Sequence, residues 1–147
     1  MINFLKAGEQ HQHKNGGGWV ANTAKVEATA FVGPDAWVYG NAWVYGNAQV
    51  YGNAQVYGDA LVSGDARVFG GAWKNSPLYI QGSRHSLTNC AYGEIAIGCE
   101  VYTFAEWKKN YKAIGKAAGY TPAQIKEYAA YIALIVKLGK KSKKENK

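Results

Sequence analysis

Residues 36–73 read AWVYGNAWVYGNAQVYGNAQVYGDALVSGDARVFGGAW, a six-residue unit repeated almost without variation. Val occupies every sixth position from Val20 to Val68, and Ala occupies every sixth position from Ala24 to Ala72. Glycines, mostly followed by Asn or Asp, fall between them at positions 40, 46, 52, 58, 64 and 70. The unit therefore reads V-x-G-N-A-x, and a strict internal repeat of this kind determines the architecture before any other feature.

A period of six suits a short strand followed by a sharp corner. Gly and Asn or Asp tolerate the backbone conformations that such corners require. Val is then expected to point inward, with the small Ala filling the crowded corner. Three units make one triangular coil of about 18 residues, and coils stack through parallel strands about 4.8 Å apart. Nine units predict about three coils, so the fold class is mainly β.

The repeat from Val20 to Trp73 resembles the hexapeptide-repeat proteins. That resemblance implies a left-handed parallel β-helix and a homotrimer with its coils side by side. Many members of that family are acyltransferases with a catalytic His on or near the coils, and a related class of carbonic anhydrases holds zinc with such histidines. Between Val20 and Val68 this chain has no His. We therefore expect a protein that is not an enzyme and that uses no cofactor and no metal.

Tyr and Trp dominate the outward positions on either side of each Val. Sorting these positions by their place in the coil predicts three faces: Trp19, Ala21, Trp37, Tyr39, Gln55, Tyr57 and Trp73 on the first; Lys25, Glu27, Trp43, Tyr45, Leu61 and Ser63 on the second; Phe31, Gly33, Gln49, Tyr51, Arg67 and Phe69 on the third. Exposed aromatic surface of this extent marks contacts. Two interpretations remain open and compatible, a subunit interface and a ligand surface that includes Trp19, Trp37 and Tyr39.

The segment before the repeat, residues 11–20, reads HQHKNGGGWV. Three successive glycines allow backbone N–H groups to surround an anion. A ligand loop would use His13, Asn15 and Gly17, whereas the alternative is a flexible lead-in to the first coil. Two histidines without a third ligand make only a weak metal motif.

After Trp73 the period disappears. Residues 77–103 predict short strands, in outline a small β-hairpin, around Gly82 and Gly93. Thr103, followed by Glu three residues later, predicts the start of a helix that ends near residue 118, and TPAQ at 121–124 predicts a second helix to about residue 138. We expect the apolar stripe of this second helix to pack over the open end of the coils or against neighbouring subunits.

The best polar cluster is GSRHS, residues 82–86. Arg84 can hold a phosphate with two parallel hydrogen bonds, Ser83 and Ser86 can donate, and His85 can donate or stack. A β-turn with a structural Arg is the alternative. Cys90 or Cys99 beside His85 is the remaining option for a nucleophile, although such cysteines are more often core thiols.

Composition and charge limit the partners. The chain carries +7, but the segment from Lys137 to Lys147 holds six Lys and one Glu, which is +5 and leaves +2 for the rest. Nucleic acid is therefore not expected as a partner, no segment is apolar enough to span a membrane, and two cysteines fit a cytoplasmic protein. The expected parts are a lead-in at 1–18, the repeat at 19–75, a hairpin and two-helix capping or oligomerisation module at 76–139, and a basic tail at 140–147.

The lead-in HKNGGGWVANTAKV and the later GSRH and IAIGCEVYTFAEW segments resemble small hexapeptide-repeat proteins of phages and prophages. We therefore expect an oligomer that captures a small, nucleotide-like anion between subunits. In a bacterial host, a phage protein of this kind would sequester an immune signalling nucleotide. The alternatives are a structural oligomer without a ligand and a hexapeptide-type acyltransferase.

Overall fold

The computed structural model describes residues 8–141. The chain forms two compact units, Met1–Pro77 and Leu78–Lys147, which are described separately. In the described range no helix is both long and apolar enough to cross a membrane.

The first unit is a stack of three-sided coils built from very short strands. The strands are β1 (Gln10–Gln12), β2 (Trp19–Ala21), β3 (Lys25–Val26), β4 (Phe31–Val32), β5 (Trp37–Val38), β6 (Trp43–Val44), β7 (Gln49–Val50), β8 (Gln55–Val56), β9 (Leu61–Val62), β10 (Arg67–Val68) and β11 (Ala72–Trp73). Each coil strand pairs in parallel with its equivalent on the next coil, giving the orders β2-β5-β8-β11, β3-β6-β9 and β4-β7-β10. The prediction of about three parallel coils is confirmed.

The Val and Ala columns fill the interior of the coils. Val32 and each sixth residue through Val68 are at most 1% exposed, and the corner alanines are buried with them. Burial of each Val side chain contributes about 1.5–3 kcal/mol to the stability of the fold, so the Val column forms the hydrophobic core of the coils. A single inward column of Val thus explains why the period is kept so strictly.

Glycine makes the corners, as the sequence predicts. Gly40 has a φ of +66°, and a Cβ added there would lie 2.9 Å from the backbone nitrogen of Gly58 on the next coil. The corner therefore excludes a side chain for two reasons, its backbone conformation and the close approach of the next coil. Among residues 8–141 only glycines adopt positive φ, so the Asn and Asp that follow them do not need that tolerance.

The last corner differs from the prediction. β11 pairs with β8 so that Trp73 lies opposite Val56, whereas a strict continuation of the repeat would place Lys74 there. The Gly70–Gly71 corner is one residue shorter, and Gln55 N–H donates to the carbonyl oxygen of Gly71. Trp73 is consequently 1% exposed, and its Nε1 donates to Gly70. The prediction that Trp73 belongs to an outward face is wrong, because the shortened corner turns its ring inward.

The lead-in is ordered against the first coil. β1 pairs antiparallel with β2, with His11 opposite Val20, and forms a hairpin closed by residues 13–18. Asn22 N–H and Nδ2 donate to the carbonyl oxygens of Glu9 and Gly8. This hairpin satisfies the edge of β2, which would otherwise present unpaired backbone groups.

The second unit is an antiparallel sheet with two helices. The strands β12 (Tyr79–Gln81), β13 (Ser86–Ala91), β14 (Glu94–Ile97) and β15 (Glu100–Thr103) pair in sequence order, and α1 (Phe104–Ala117) and α2 (Pro122–Leu138) follow. The predicted small hairpin is thus the centre of a four-stranded sheet. Both predicted helices are confirmed, with Thr103 and Thr121 forming capping boxes with Glu106 and Gln124.

The apolar stripe of α2 packs inside its own unit. Tyr128, Ile132 and Ile135 share one core with sheet residues Leu87, Ile95 and Ile97 and with Trp107 of α1. The expectation that the stripe packs over the coil end or a neighbouring subunit is therefore wrong. The sheet of four strands, which the sequence pattern did not reveal in full, supplies the surface that this stripe covers.

Candidate functional site

The first face of the coils carries the aromatic residues predicted to bind ligand. Trp19 lies over Trp37 at 6.3 Å between ring centroids, and Trp37 meets Tyr39 edge-on at 6.5 Å. Tyr39 stacks in parallel on Tyr57 at 4.8 Å and donates its hydroxyl to Gln55 Oε1. Burial, and then the neighbouring Tyr57, raise the pKa of the Tyr39 hydroxyl. The structure brings Trp19, Trp37 and Tyr39 together, but Trp37 is only 7% exposed, so its ring contributes little free surface.

The second face is the more open of the aromatic surfaces. Trp43 is 42% exposed and Leu61, its neighbour on the next coil, is 44% exposed. Lys25 Nζ lies 5.3 Å from the Trp43 ring centroid, where the cation interacts with the ring face. This surface presents apolar area in register along the stack.

The glycine-rich lead-in is held by hydrogen bonds within the chain. His13 is buried, and its Nε2 donates to the carbonyl oxygen of Ala30 at 2.8 Å. Asn15 Nδ2 donates to the same carbonyl at 3.2 Å. Gly17 N–H donates to His13, and Gly18 N–H donates to Val32. These donors already have acceptors, which favours a structural role for the loop over an anion site.

Ser83 in the GSRHS turn is bound to α2. Its Oγ donates to Glu127 Oε1 at 2.5 Å, and its backbone N–H donates to Oε2 at 3.0 Å. Tyr131 adds a third donor at 2.6 Å. Hydrogen bonds from the Ser83 hydroxyl, the Tyr131 hydroxyl and the Ser83 backbone lower the pKa of Glu127.

Arg84 closes the carboxyl end of α1. Its Nη1 and Nη2 donate to the carbonyl oxygens of Gly119 and Ala118, each at 3.0 Å. The guanidinium carbon also lies 4.7 Å from the ring centroid of Tyr120. Helix ends leave carbonyls without partners, and a cation there is favourable. Two of the five N–H donors of Arg84 therefore bind carbonyl oxygens at the end of α1.

His85 completes the turn through its backbone. The Tyr128 hydroxyl accepts from His85 N–H at 2.6 Å and from Arg84 N–H at 2.9 Å, and donates to the His85 carbonyl at 2.6 Å. Ser86 begins β13, opposite Gln81. The structure thus brings Ser83, Arg84 and His85 together in one turn, which is hydrogen-bonded to Glu127 and Tyr128 of α2. The His85 ring takes no part in these bonds.

That ring lines a cavity in the second unit that the sequence did not predict. The cavity has a volume of about 260 Å³ and is surrounded by α1, α2, the residue 118–120 connection and the sheet end at Ile97. Its aromatic and aliphatic walls include Trp107, Tyr111, Ile114, Tyr120, Ile125 and Tyr128. Trp107 Nε1 donates to Ile95 at 2.9 Å, which fixes one wall. The helical spacing of Trp107, Tyr111 and Ile114 indicates that they share one face of α1. The same spacing is typical of an ordinary packed core, so it does not predict a cavity.

Three polar side chains lie at one edge of this cavity, His85, Cys99 and Glu100. The His85 ring rests on Gly98, since a Cβ built there would be 3.2 Å from its Cγ and 3.4 Å from its Nδ1. Gly98 has a φ of +56°, a conformation that favours glycine, and a Cβ there would also make a tight contact with the His85 ring. A hydrogen bond with Glu100 is the main cause that raises the pKa of Tyr102. Cys99 is exposed and Cys90 is buried, and the two cysteines form no disulfide.

Comparison with known proteins adds one finding. The family model described as YdcK Beta solenoid repeat matches residues 36–52, 48–63 and 54–70. This chain is a β-solenoid repeat protein. Neither the curated proteins nor the solved structures include a match.

The sequence-predicted ligand residues of this β-solenoid protein divide between its two units. His13, Asn15, Gly17, Trp19, Trp37 and Tyr39 lie in the solenoid, and Ser83, Arg84, His85 and Ser86 lie in the second unit. Only His85 of this set lines the cavity. Within residues 8–141, no group of three or more His, Cys, Asp or Glu side chains could hold a metal ion.

Proposed function

We propose that this β-solenoid protein is a non-catalytic binding protein whose second unit holds a small ring-containing molecule. The observation that carries the proposal is the cavity of about 260 Å³ between α1, α2 and the sheet. Ligand sites are typically concave, mostly apolar and supplied with a few convergent polar groups. The aromatic walls and the edge formed by His85, Cys99 and Glu100 meet that description.

The size and lining of the cavity favour a single-ring or two-ring aromatic compound. A dry apolar cavity of about 150 Å³ suffices for benzene, so this one accepts a larger ring. Tyr111 and Tyr120, which line the cavity and are partly exposed, offer ring surface for stacked or edge-on contacts. Glu100 and His85 can accept a hydrogen bond from a polar group on the ligand rim. An indole satisfies these requirements and serves as the test compound.

Native mass spectrometry during titration with indole tests this function. We expect saturation at one indole for each chain. Ala118→Leu places a larger side chain on the cavity wall and should weaken binding at least about tenfold, since it removes contact area worth more than about 1.4 kcal/mol.

Ala130→Leu is the matched control. Residue 130 lies on the exposed side of α2 and is not part of the cavity lining, so this variant should bind like the parent protein. Absence of saturable binding, or equal weakening by both substitutions, would contradict the proposed function.

A nucleotide-like anion is the second candidate, and one contact supports it. Arg84 stacks on Tyr120, which lines the cavity, so a cation lies beside a surface able to accept a base. The base would occupy the cavity while the phosphate uses the remaining N–H donors of Arg84. Such binding would suit a phage protein that sequesters a host signalling nucleotide.

Comparison of adenosine with adenosine 5′-monophosphate isolates the phosphate contribution. If Arg84 binds phosphate, the nucleotide should bind about tenfold more tightly than the nucleoside, with the difference falling as salt rises. Equal affinity at low salt would remove the nucleotide candidate and leave the ring-binding function intact.

We further propose that the solenoid unit assembles as a homotrimer through its second face. Trp43 and Leu61 are large apolar residues, 42% and 44% exposed, on adjacent coils. Trp43→Glu introduces a charge at the centre of that surface and should convert trimers to monomers in native mass spectrometry. Gln49→Glu, an exposed change on the third face, should leave the trimer intact. Monomeric parent protein would contradict this assembly.

A further inference from the structure

The polar edge of the cavity combines an accessible thiol with an imidazole. Cys99 is exposed and lines the same cavity as His85. The His85 ring packs on Gly98, the residue directly before Cys99, with ring carbons and Nδ1 within 3.4 Å of the position of a Cβ at Gly98. His85 is held through its backbone by Tyr128, so its ring is placed without being used in those bonds.

From this arrangement we infer that Cys99 is a nucleophile that forms a covalent bond with an electrophile bound in the cavity. The inference rests on the proposed ring-binding function and names a substrate class for it, α,β-unsaturated carbonyl compounds with an aromatic body. Capture of this kind is stoichiometric and needs no turnover, so it agrees with a binding protein.

The reaction balances without an oxidant or another co-reactant. His85 takes the thiol proton, and the sulfur lone pair forms a C–S bond at the β-carbon of the electrophile. The carbon–carbon π pair moves to the carbonyl as an enolate, and protonated His85 returns the proton to the α-carbon. The product is a thioether, and His85 is restored to its neutral form.

The two cysteines differ in the property that this chemistry needs. Cys90 lies in β13 with no exposed surface, where it packs as part of the sheet interior. Cys99 lies between β14 and β15, at the opening of the cavity, with an imidazole beside its neighbour. Burial protects a thiol from soluble reagents, so Cys90 is an internal reference for Cys99.

The aromatic walls of the cavity would also promote the reaction, because they orient the electrophile toward the thiol. A ring held against Tyr111 and Tyr120 would bring an attached electrophile to the thiol repeatedly in one orientation, which raises the effective concentration of the two reacting groups. Reaction at Cys99 should therefore depend on the body of the electrophile as well as on its reactive bond. A cysteine that is merely exposed would show no such dependence.

The test measures the reaction of the full chain with two maleimides of matched chemistry. Both reagents carry the same reactive maleimide, but N-phenylmaleimide adds a phenyl ring of a size that fits the cavity, and N-methylmaleimide has only a methyl group in its place. Intact-mass spectrometry should show one adduct at Cys99, and the phenyl-to-methyl rate ratio should be at least about tenfold higher in folded protein than in urea-unfolded protein.

Three variants separate the contributions, and a fourth is the control. Cys99→Ser should abolish the adduct in folded protein. His85→Gln should slow both reagents about tenfold near neutral pH, and the deficit should shrink as the pH rises, because hydroxide then replaces the imidazole as the base. Ala118→Leu should remove the phenyl preference, so that the phenyl-to-methyl rate ratio falls to that of unfolded protein. His11→Gln, which changes an exposed His of the solenoid unit, is the control and should leave the rates unchanged.

The outcomes distinguish this inference from the function on which it rests. Indole binding that persists in Cys99→Ser, together with a phenyl-to-methyl ratio equal to that of unfolded protein, overturns covalent capture and leaves ring binding standing. Absence of both indole binding and phenyl preference overturns both. Adducts at Cys90 at the same rate as at Cys99 would also contradict the assignment.

Discussion

Arg84 is a residue for which the sequence predicts two alternative roles, binding an anion and stabilising the fold. The sequence indicates that an Arg in a Gly-Ser-rich turn is able to hold an anion, and it offers a structural Arg as the alternative. The structure shows its fork on the carbonyls of Ala118 and Gly119 and its plane on Tyr120. These partners are distant along the chain, so no local pattern could have identified them.

Replacing Arg84 tests that structural role. Arg84→Gln removes two charge-assisted hydrogen bonds at an exposed helix end and should lower the free energy of unfolding by about 1–2 kcal/mol. Urea unfolding of the full chain measures the change. Lys116→Gln, which removes a cation from the same last turn, is the control and should cost less than about 0.5 kcal/mol. Equal stability of Arg84→Gln and the parent would contradict the capping role.

Glu127 makes the stability of the same turn depend on pH. Its folded-state pKa is lowered from the ordinary 4.5, chiefly by the Ser83 hydroxyl. The stability it contributes is therefore complete above pH 4.5 and is lost as the pH falls through the lower folded-state value. We expect Glu127→Gln to be less stable than the parent near pH 7 and to approach it in acid. Urea unfolding midpoints between these limits measure the difference, and a difference independent of pH would contradict the account.

At the scale of single elements, the last corner of the solenoid departs from its own repeat. A continued period places residue 74 inward, whereas the short Gly70–Gly71 corner puts Trp73 there and leaves Lys74 exposed. Trp73→Ala should therefore cost about 3–5 kcal/mol, as removal of a buried Trp does elsewhere. Lys74→Ala should change the unfolding free energy by less than about 0.5 kcal/mol. The reverse order in thermal or urea unfolding would show that the period continues.

The helices were the elements that the sequence predicted best. Thr103 with Glu106, and Thr121 with Pro122 and Gln124, determine both helix starts through contacts within a single turn. The regular coils follow equally well from the Val and Ala columns. The slip at Trp73 did not follow, because Gly-Gly permits a corner of either length and the choice depends on burying the Trp ring.

At the scale of the whole molecule, the solenoid could be derived and the cavity could not. Solenoid contacts recur identically from one coil to the next, so one unit predicts its successor. The cavity is the space that α1, α2 and the sheet leave unfilled when they pack together. Its position depends on contacts between residues far apart in the sequence, which no local pattern predicts. The GSRHS turn supplies His85 and the connection before β15 supplies Cys99, but nothing local in the sequence places the His85 ring against Gly98.

The two units differ in the kind of surface that they offer, and we therefore expect a different function from each. The solenoid face around Trp43 and Leu61 is open and apolar, as an assembly surface should be. The second unit contains a partly open, mostly apolar cavity lined also by His85, Cys99 and Glu100, as a ligand site should. We therefore propose that the repeat serves assembly and that the sheet-and-helix unit serves binding.

Two-dimensional proton–nitrogen NMR during indole titration tests this assignment most directly. The indole N–H of Trp107, bonded to Ile95, and the backbone amides of Gly98 and Gly115 report on the cavity. The account predicts saturable shifts of these resonances, with the amides of the coil glycines from Gly40 to Gly64 unchanged. Shifts confined to the solenoid, or no saturable shift at all, would contradict the claim that the second unit is the binding site.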